Sequence, residues 1–420
     1  IMSLITNTTD YTPITLDIIP QHGTGTPVKV HQIMTELHIY EDMYKPFLTG
    51  TIALMDGVGL ASKLPISGEE HLEVVFETPG GDTIEQSFYI YKVSNRSDAN
   101  EMQLLVCHFC SHEMIKNTKT SASFGFNGEL ISDMAQKMYD DNLSIDKEFD
   151  VEPTLMPRRM SFPNFPPARI LLEMSKTAQS AAHPTGSDYR FWEDLRGFHF
   201  RSIQSMIEDI EPIRDSDQRE ILHRNPQNVQ ANTLNAMQAI EEFRIIAQNN
   251  NLQQMLSGAL ANTMQVFDPV TGAVTITETK LADIFDSFKS LEPNMTVGAE
   301  AINNIMEPSS NIRVLLTDAA EEFPSGIEGF APAALAQRAL FGSTKIDLQL
   351  PGVTNRKIGD VVDLRLPSPG PRETEGEVMD RQLSNNAMIT AINHSFTRGV
   401  YRQIVQVAKD SSFEEVKTED

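Results

Sequence analysis

His71-Leu72-Glu73-Val74-Val75-Phe76-Glu77 places apolar residues at every second position, with polar residues largely between them. Successive side chains of a β-strand point to opposite faces, so this spacing predicts a strand with one buried face. Pro79-Gly80-Gly81-Asp82 follows, and it predicts a tight turn into a second strand over residues 86–93. We therefore expect a β-hairpin here, and the pattern is typical of the N-terminal part of the chain.

The same alternation appears at both ends of the sequence. Residues 49–57 and 102–109 predict further strands beside the hairpin, which together favour a small barrel or sandwich. Four later stretches each place their residues on one strand face: Ile346, Leu348 and Leu350; Val362, Leu364 and Leu366; Met388, Thr390, Ile392 and Phe396; Tyr401, Gln403, Val405 and Val407. These stretches predict a second all-β unit.

Between the two β-units the apolar period becomes helical. Four residues share one helix face: Ile131, Met134, Ala135 and Met138. Five prolines between residues 153 and 167 predict a linker or irregular crossing, and the last two favour the start of a helix over residues 168–182. Residues 189–203 return to alternation and predict a hairpin.

Residues 204–340 are rich in Asn, Gln and Ala, and we interpret most of them as an insertion. Helices are predicted around residues 231–242 and 252–264. Asp268-Pro269-Val270-Thr271-Gly272 predicts a hairpin turn, because proline pre-sets one backbone angle and glycine tolerates positive φ.

The composition of the chain argues against several classes of function. A chain of 420 residues with 40% hydrophobic and 22% charged residues is long enough for several folded domains. Its 34 Lys+Arg against 58 Asp+Glu give a formal charge of -24, which opposes tight binding to nucleic acid or anionic lipid. We expect no membrane insertion and no Sec targeting, since no apolar run approaches ~20 residues and no leader pattern precedes residue 11.

Chemical motifs are weak throughout. Cys107-His108-Phe109-Cys110-Ser111-His112 contains zinc-ligand residue types, but Cys107 and Cys110 lie an odd number of positions apart and would face opposite sides of a strand. We interpret both as buried core thiols. Gly57-Val58-Gly59 is followed by Pro65 instead of a long helix, which favours a turn over a nucleotide loop. We predict no catalytic, cofactor-binding or metal-binding residues, no cofactor, and no enzymatic activity.

Three groups of segments, taken in order, carry a likeness to a known family. They are residues 40–52 (YEDMYKPFLTGTI), 55–57 (MDG) and 64–70 (LPISGEE); residues 189–193 (YRFWE) and 197–202 (GFHFRS); and residues 358–367 (IGDVVDLRLP), 380–384 (DRQLS) and 388–396 (MITAINHSF). The chain resembles the baseplate central hub proteins of T-even-like contractile-tailed bacteriophages. The likeness covers most of the chain and is loosest over residues 205–340.

This resemblance implies an α+β, β-rich fold: two tail-tube-like β-barrels with an α/β domain between them and an inserted mixed segment. We expect the first barrel over residues 1–112, the α/β domain over 113–204, and the second barrel over 205–230 and 341–412. An inserted helical and hairpin domain would occupy residues 231–340, and a tail residues 413–420.

The resemblance also implies a structural role in the virion, at the tail baseplate, with assembly in the host cytoplasm. Three copies, each with two barrels, would form a pseudo-hexameric ring that adapts the six-fold tail tube to the three-fold spike. Expected partners are the homotrimer's own copies, a central spike protein on a separate chain, a tail tube or tube-initiator protein, baseplate wedge proteins, and DNA in transit. A trimer would carry 3 × -24 = -72, so we hypothesise an acidic channel that repels DNA.

Three alternatives stay open at this level. The chain could be the hub of a non-phage contractile injection system, although no β-helical spike repeat follows the last predicted strand. A tail-associated cell-wall hydrolase would need a catalytic constellation, which the motifs do not supply. A carbohydrate-binding β-protein would need exposed aromatic residues, and the sequence has a single tryptophan, Trp192.

Overall fold

The structure is a computed structural model that describes residues 9, 11–20, 26–57, 59, 70–78, 83–99, 102–185, 187–209, 220–224, 236–248, 251–296, 312–317, 321, 322, 324, 326–368, 379–397 and 399–413. The turn predicted at residues 79–82 lies outside the described residues, as does most of the loop that follows Gly57. Strands outnumber helices in the described chain, which confirms the α+β, β-rich class.

The strands are β1 (Thr12–Ile19), β2 (Val28–Lys29), β3 (Met34–Asp42), β4 (Thr49–Asp56), β5 (His71–Glu77), β6 (Ile84–Ala99), β7 (Met102–Cys110), β8 (Ala122–Leu130), β9 (Glu148–Val151), β10 (Pro157–Phe165), β11 (Tyr189–Glu193), β12 (Gly197–Ser202), β13 (Ile221–His223), β14 (Glu242–Ala247), β15 (Ala261–Phe267), β16 (Val274–Lys280), β17 (Ile312–Leu316), β18 (Thr344–Pro351), β19 (Val361–Arg365), β20 (Asn385–Thr397) and β21 (Val400–Lys409). The helices are α1 (His112–Lys119), α2 (Ile131–Asn142), α3 (Pro167–Thr177), α4 (Ile203–Glu208), α5 (Asn251–Ser257), α6 (Leu281–Ile284) and α7 (Ile327–Leu340). Short 3-10 turns occur at His31–Ile33 and Phe285–Ser287.

Strands from both ends of the chain form one 13-stranded sheet. Its order is β14-β18-β21-β20-β3-β4-β7-β6-β5-β1-β2, with β19 also paired to β20 and β13 paired to β19. The long strand β20 joins the halves, because it pairs with β19 near its start, with β21 along most of its length and with β3 over its second half. Among the described strands no ladder closes a barrel, so the expected barrels are not seen as separate closed units.

The sheet covers two apolar cores. The N-terminal core includes Leu72, Val74 and Phe76, the three residues that the sequence pattern placed on one face of β5. The C-terminal core includes Ile346, Leu348 and Leu350 of β18, again as predicted. On β20, however, a bulge between Ile389 and Ala391 shifts the register, so Met388 packs in a different cluster from Ile392 and the predicted single face is wrong there.

A third core lies in the middle region. The four residues predicted to share a helix face are all buried on α2, and α3 begins at Pro167, where a proline fits the first helical turn. The predicted hairpin at residues 189–203 is present as β11 and β12. The predicted linker through the prolines is wrong, because β10 pairs with β8 over that stretch. In a two-stranded sheet both strands are edges, and Pro163 lies at a register shift, so prolines are tolerated.

The stretch of chain that we interpret from the sequence as an insertion contributes a small separate sheet, ordered β16-β15-β17. The predicted hairpin at Asp268 is confirmed: Asp268 Oδ1 accepts the Val270 amide at 2.9 Å and Gly272 has φ +72. The helix predicted over residues 252–264 is shorter, since α5 ends at Ser257 and strand β15 starts at Ala261 after Gly258 at φ +74. Residues 231–235 of the other predicted helix lie outside the described residues, and Glu242 belongs to β14.

Gly50 lies at a crowded point of the large sheet, between β3 and β7. A Cβ at this position would be 2.2 Å from Phe109 Cζ and 2.3 Å from the His38 carbonyl oxygen. We expect Gly50→Ala to destabilise the protein by about 1–3 kcal/mol, because the backbone or the Phe109 ring must move. The midpoint of urea unfolding, followed by circular dichroism, measures the effect.

Gly125→Ala is the matched control, because Gly125 also lies in a strand and a Cβ there would have nothing within 4 Å. The control should unfold close to wild type. Equal midpoints for the two variants would contradict the close packing at Gly50.

Candidate assembly face

The large sheet has one wide face that its apolar cores do not cover. In the central strands every second residue is buried, and the residues between them are half-exposed or exposed. Cross-strand partners share a face, so the register joins these residues into rows that each cross several strands between β14 and β6. One row is Glu242, Gln349, Ile404, Asn393, Tyr40 and Thr49, and the next is Arg402, Ser395, His38, Thr51, His108 and Lys92. We call this surface the polar face.

Charges on the polar face are nearly balanced. The basic residues Lys92, Arg244, Lys345 and Arg402 share it with the acidic residues Glu36, Asp42, Glu85, Glu242 and Asp347. Between them lie uncharged hydrogen-bonding side chains; Gln406 Nε2, for example, donates to Asp347 Oδ1 at 3.0 Å. The strong negative charge of the chain is therefore not concentrated on this face.

A buried polar network lies below the polar face where the two halves of the sheet meet. His394 of β20 contacts Glu41 of β3, with Nε2 and Oε1 3.0 Å apart, and both side chains are 1% exposed. Burial and the Glu41 carboxylate raise the pKa of Tyr401, so its hydroxyl keeps its proton and donates to His394 Nδ1 at 2.7 Å.

Arg356 extends the network into the loop after β18. Its Nη1 donates to Gln403 Oε1 at 2.7 Å, and its Nη2 donates to Glu220 Oε1 at 2.8 Å. Gln403 Nε2 in turn donates to the Tyr401 hydroxyl at 3.0 Å. The chain of contacts therefore ties together segments that are more than a hundred residues apart in sequence.

A second polar cluster fixes the middle region to the first β-unit. Burial raises the pKa of Glu193, while Lys147 Nζ lies 2.5 Å from its Oε1 and stabilises the charged form. Glu193 Oε2 also accepts the Leu48 amide at 2.8 Å and the Ser111 hydroxyl at 2.7 Å. One side chain of β11 thus joins the loop after β3 to the start of α1.

The cysteine and histidine side chains of residues 107–112 are buried or hydrogen-bonded within the fold. Cys107 and Cys110 are both buried, as expected, and burial raises the pKa of each thiol to about 12, which keeps them protonated. His108 contacts Ser94 Oγ at 2.8 Å and His112 contacts Ser87 Oγ at 3.1 Å. Within the described parts of the chain, no three His, Cys, Asp or Glu side chains lie close enough to hold a metal ion. The described helices include none that is long and apolar enough to cross a bilayer.

Trp192 does not form an exposed platform for sugars. It is 1% exposed, and its ring stacks on His199 with centroids 4.9 Å apart. The two polar networks were not predicted from the sequence, because Glu41 and His394 are separated by 353 positions and neither belongs to a local motif.

Several solved structures have a fold similar to that of this chain. The structure is similar to the 43 kDa tail protein of prophage MuSo2 from Shewanella oneidensis, with a TM-score of 0.54 and 10% identity, covering 94% of this chain and 98% of that chain. It is equally similar to a tail protein from Neisseria meningitidis MC58, with a TM-score of 0.54 and 10% identity over 96% of this chain and 97% of that one. A chain of the Francisella PdpA-VgrG complex is more distant, with a TM-score of 0.47, 10% identity and coverage of 99% and 55%. No protein-family model matches the sequence, and no curated protein matches it.

His199 makes the stability of the middle region depend on pH. Burial lowers its pKa, but Asp194 at 2.9 Å and Asp150 at 3.6 Å outweigh that effect and raise the pKa to about 9. A raised histidine pKa contributes stability that is full below the unfolded value of about 6.5 and is lost as pH rises through about 9. We therefore expect the free energy of unfolding to fall by up to about 3 kcal/mol between pH 6.5 and 9.

Urea unfolding of wild type and His199→Gln at pH 6, 7.5 and 9 measures this contribution. The variant should be less stable than wild type at pH 6 and should lose much of the pH dependence in this window. An identical pH profile for the two proteins would show that His199 is not charged by its two carboxylate neighbours.

Proposed function

We propose that this chain is the structural hub subunit of a contractile phage tail baseplate, and that three copies form a pseudo-hexameric ring between the six-fold tube and the three-fold spike. The observation that carries the proposal is the continuous sheet built from both ends of the chain, with one polar face that crosses both halves. The whole-length fold similarity to two tail proteins, one of them from a prophage, supports it.

In this proposal the chain divides as the sequence suggested. Residues 1–112 supply one tube-like β-unit, and residues 205–230 with 341–412 supply the other. Residues 113–204 form the α/β domain between them, residues 231–340 the insertion, and residues 413–420 a tail. Two tube-like units in each of three copies give six positions around the axis, and this number matches the tube.

The polar face is the surface that we assign to the channel. It spans both β-units, as a ring wall contributed by both must, and most of its side chains are hydrogen-bonding groups, with a few apolar residues such as Ile404 among them. The overall charge of -24 suggested an acidic channel wall. Because charges of both signs lie on the polar face, we propose a nearly neutral wall instead. A wall with little net charge neither holds phosphates by long-range attraction nor repels them, which suits a polymer that must slide past it.

The partners follow from the position of the ring. We propose that a separate spike chain binds on one side, a tube or tube-initiator protein binds on the other, and wedge proteins surround the ring in the virion baseplate after assembly in the host cytoplasm. The hub of a non-phage contractile injection system would share this fold, and the identity of the spike and tube proteins that bind the chain separates the two. We propose no enzymatic activity for the chain.

The solution mass tests the assembly. We expect light scattering of the purified chain to give a mass near 3 × 46.9 = 140.7 kDa, with a ring and three-fold symmetry in electron-microscopy class averages. A chain that stays monomeric even when co-expressed with its spike and tube proteins would contradict the proposal. Turnover of peptidoglycan by the purified chain, abolished by changing one carboxylate, would favour the hydrolase alternative.

The channel assignment has its own test. In a cryo-electron-microscopy map of the ring, we expect Asn393, Thr51 and Gln349 of the polar face to line the lumen. Because neighbouring charges on the face have opposite signs, the lumen surface should be close to neutral. A map that places these residues on the outer wall, or shows a strongly acidic lumen, would contradict the assignment while leaving the trimer intact.

A further inference from the structure

The small sheet of the insertion exposes large apolar side chains on one side. Val274 and Ile276 of β16 are 55% and 60% exposed, and Phe267 at the end of β15 is 37% exposed. On β17 the exposed fractions are 55% for Ile312, 66% for Val314 and 72% for Leu316. Isolated exposed residues of this kind are ordinary, but six on one small sheet are not.

The register shows that these side chains form one continuous surface. Phe267 is paired with Val274 on one side and with Leu316 on the other. In the next row on the same face, Gln265 is paired with Ile276 and Val314. Directly paired residues share a face, so two rows of apolar side chains lie side by side around Gln265. We call Phe267, Val274, Ile276, Ile312, Val314 and Leu316 the apolar face.

The apolar face is held in place from behind. Met264 and Val266 of β15 point to the other side of the sheet and are buried. Arg313 Nη2 donates to the Ser257 carbonyl oxygen at 2.5 Å, which fixes β17 to the end of α5. The face is therefore preformed, and a partner would meet it without the cost of ordering it.

Charge distinguishes this surface from the polar face. The two rows around Gln265 contain no ionisable side chain, and the charged residue nearest to them along β16 is Glu278, in the row of Ile312. In a chain of charge -24, long-range repulsion opposes the approach of another copy. An uncharged patch is where two such chains meet with the least repulsion and the most apolar burial.

We propose that the apolar face is a docking surface for a second copy of this chain, and that it helps hold the copies of the ring together. The inference rests on the proposed hub function. The largest apolar patch on a typical monomer covers roughly 300–600 Å² and is often functional. That area is a large part of the about 800 Å² that each partner contributes to a stable interface.

The strand edges point to the same conclusion. Among the described strands β16 and β17 are the two edges of the small sheet, and both carry exposed β-branched residues. Such edges pair with other chains unless they are covered. In a closed ring each copy covers the apolar face of the next copy. The apolar face is then buried in every copy, and the assembly does not grow into a filament.

Ile276→Glu and Val314→Glu test the interface directly. Both positions are exposed within one chain, so the variants should fold and melt like wild type. We expect each to shift the mass in light scattering from trimer toward monomer, with association weakened at least 10-fold, because a carboxylate would be buried against apolar groups. Val270→Glu is the matched control: Val270 is 73% exposed in the turn of the same hairpin, away from the rows of the face.

The outcomes separate this inference from the hub proposal. If wild type and both face variants are equally trimeric, the apolar face does not join copies, while the hub proposal stands. If wild type forms a ring only with its spike and tube proteins, the same variants are compared in that ring, and loss of the ring supports the inference. Loss of spike binding with an unchanged ring mass would assign the face to another chain and overturn it.

Thiol protection provides a measurement that does not depend on a disruptive variant. The native Cys107 and Cys110 are buried, with pKa values near 12, so a cysteine added at the surface is the reactive thiol. Val314→Cys should react with 5,5′-dithiobis(2-nitrobenzoic acid) at least 10-fold more slowly in the ring than in the monomer. Val270→Cys should react equally fast in both. Equal rates for Val314→Cys in the two states would overturn the inference.

Discussion

The pairing of β20 with β3 is the constraint on which the rest of the structure depends. Its register places Phe396 opposite Leu37 and His394 opposite Ile39, and it joins segments more than 350 residues apart. Without this ladder the N-terminal strands would end at an open β3 edge, and the C-terminal strands would end at an open β20 edge. The aromatic contact between Phe76 and Phe396, with centroids 4.4 Å apart, shows that the first core is completed by the last hairpin of the chain. Closing so long a loop is slow, so we infer that the two halves form their local hairpins before they join.

Polar side chains concentrate at the boundaries between units, whereas the centre of each unit is apolar. Glu41 with His394 lies where the two halves of the sheet meet, and Lys147 with Glu193 lies where the middle region meets the first β-unit. Asp188, fully buried just before β11, binds Arg190 of that strand and Arg338 of the distant helix α7. Apolar contacts tolerate many relative positions, but a buried carboxylate is satisfied in few. These contacts therefore define how the units sit against each other more than they add to stability.

The local structure followed from the sequence because its rules are local. Alternation in His71–Glu77 and Thr344–Pro351, and the helical spacing after Gly128, need only neighbouring residues to be interpreted. Strand pairing could not be deduced, because nothing near Leu37 specifies Phe396 as its partner. The proline-rich stretch misled for a related reason: prolines exclude a central strand, but whether a strand is central or at an edge depends on the tertiary structure. The same limit applies to exposure, since alternating Ile312, Val314 and Leu316 have the pattern of a core strand and yet face outward.

Under the proposed hub function, the two uncovered sheet surfaces would serve two different kinds of contact. The polar face presents amides, hydroxyls and charges of both signs. When such groups replace hydrogen bonds to water with hydrogen bonds to a ligand, the net gain in binding free energy is small. The apolar face gains free energy only when water is removed for good, which requires a partner that stays. In the proposed hub, the wall would face moving DNA and the flank a permanent neighbour, so the subunit would need both properties at once. In this fold they are carried by different sheets, the large sheet that joins the chain ends and the small sheet of the insertion, so a change to one surface leaves the other intact.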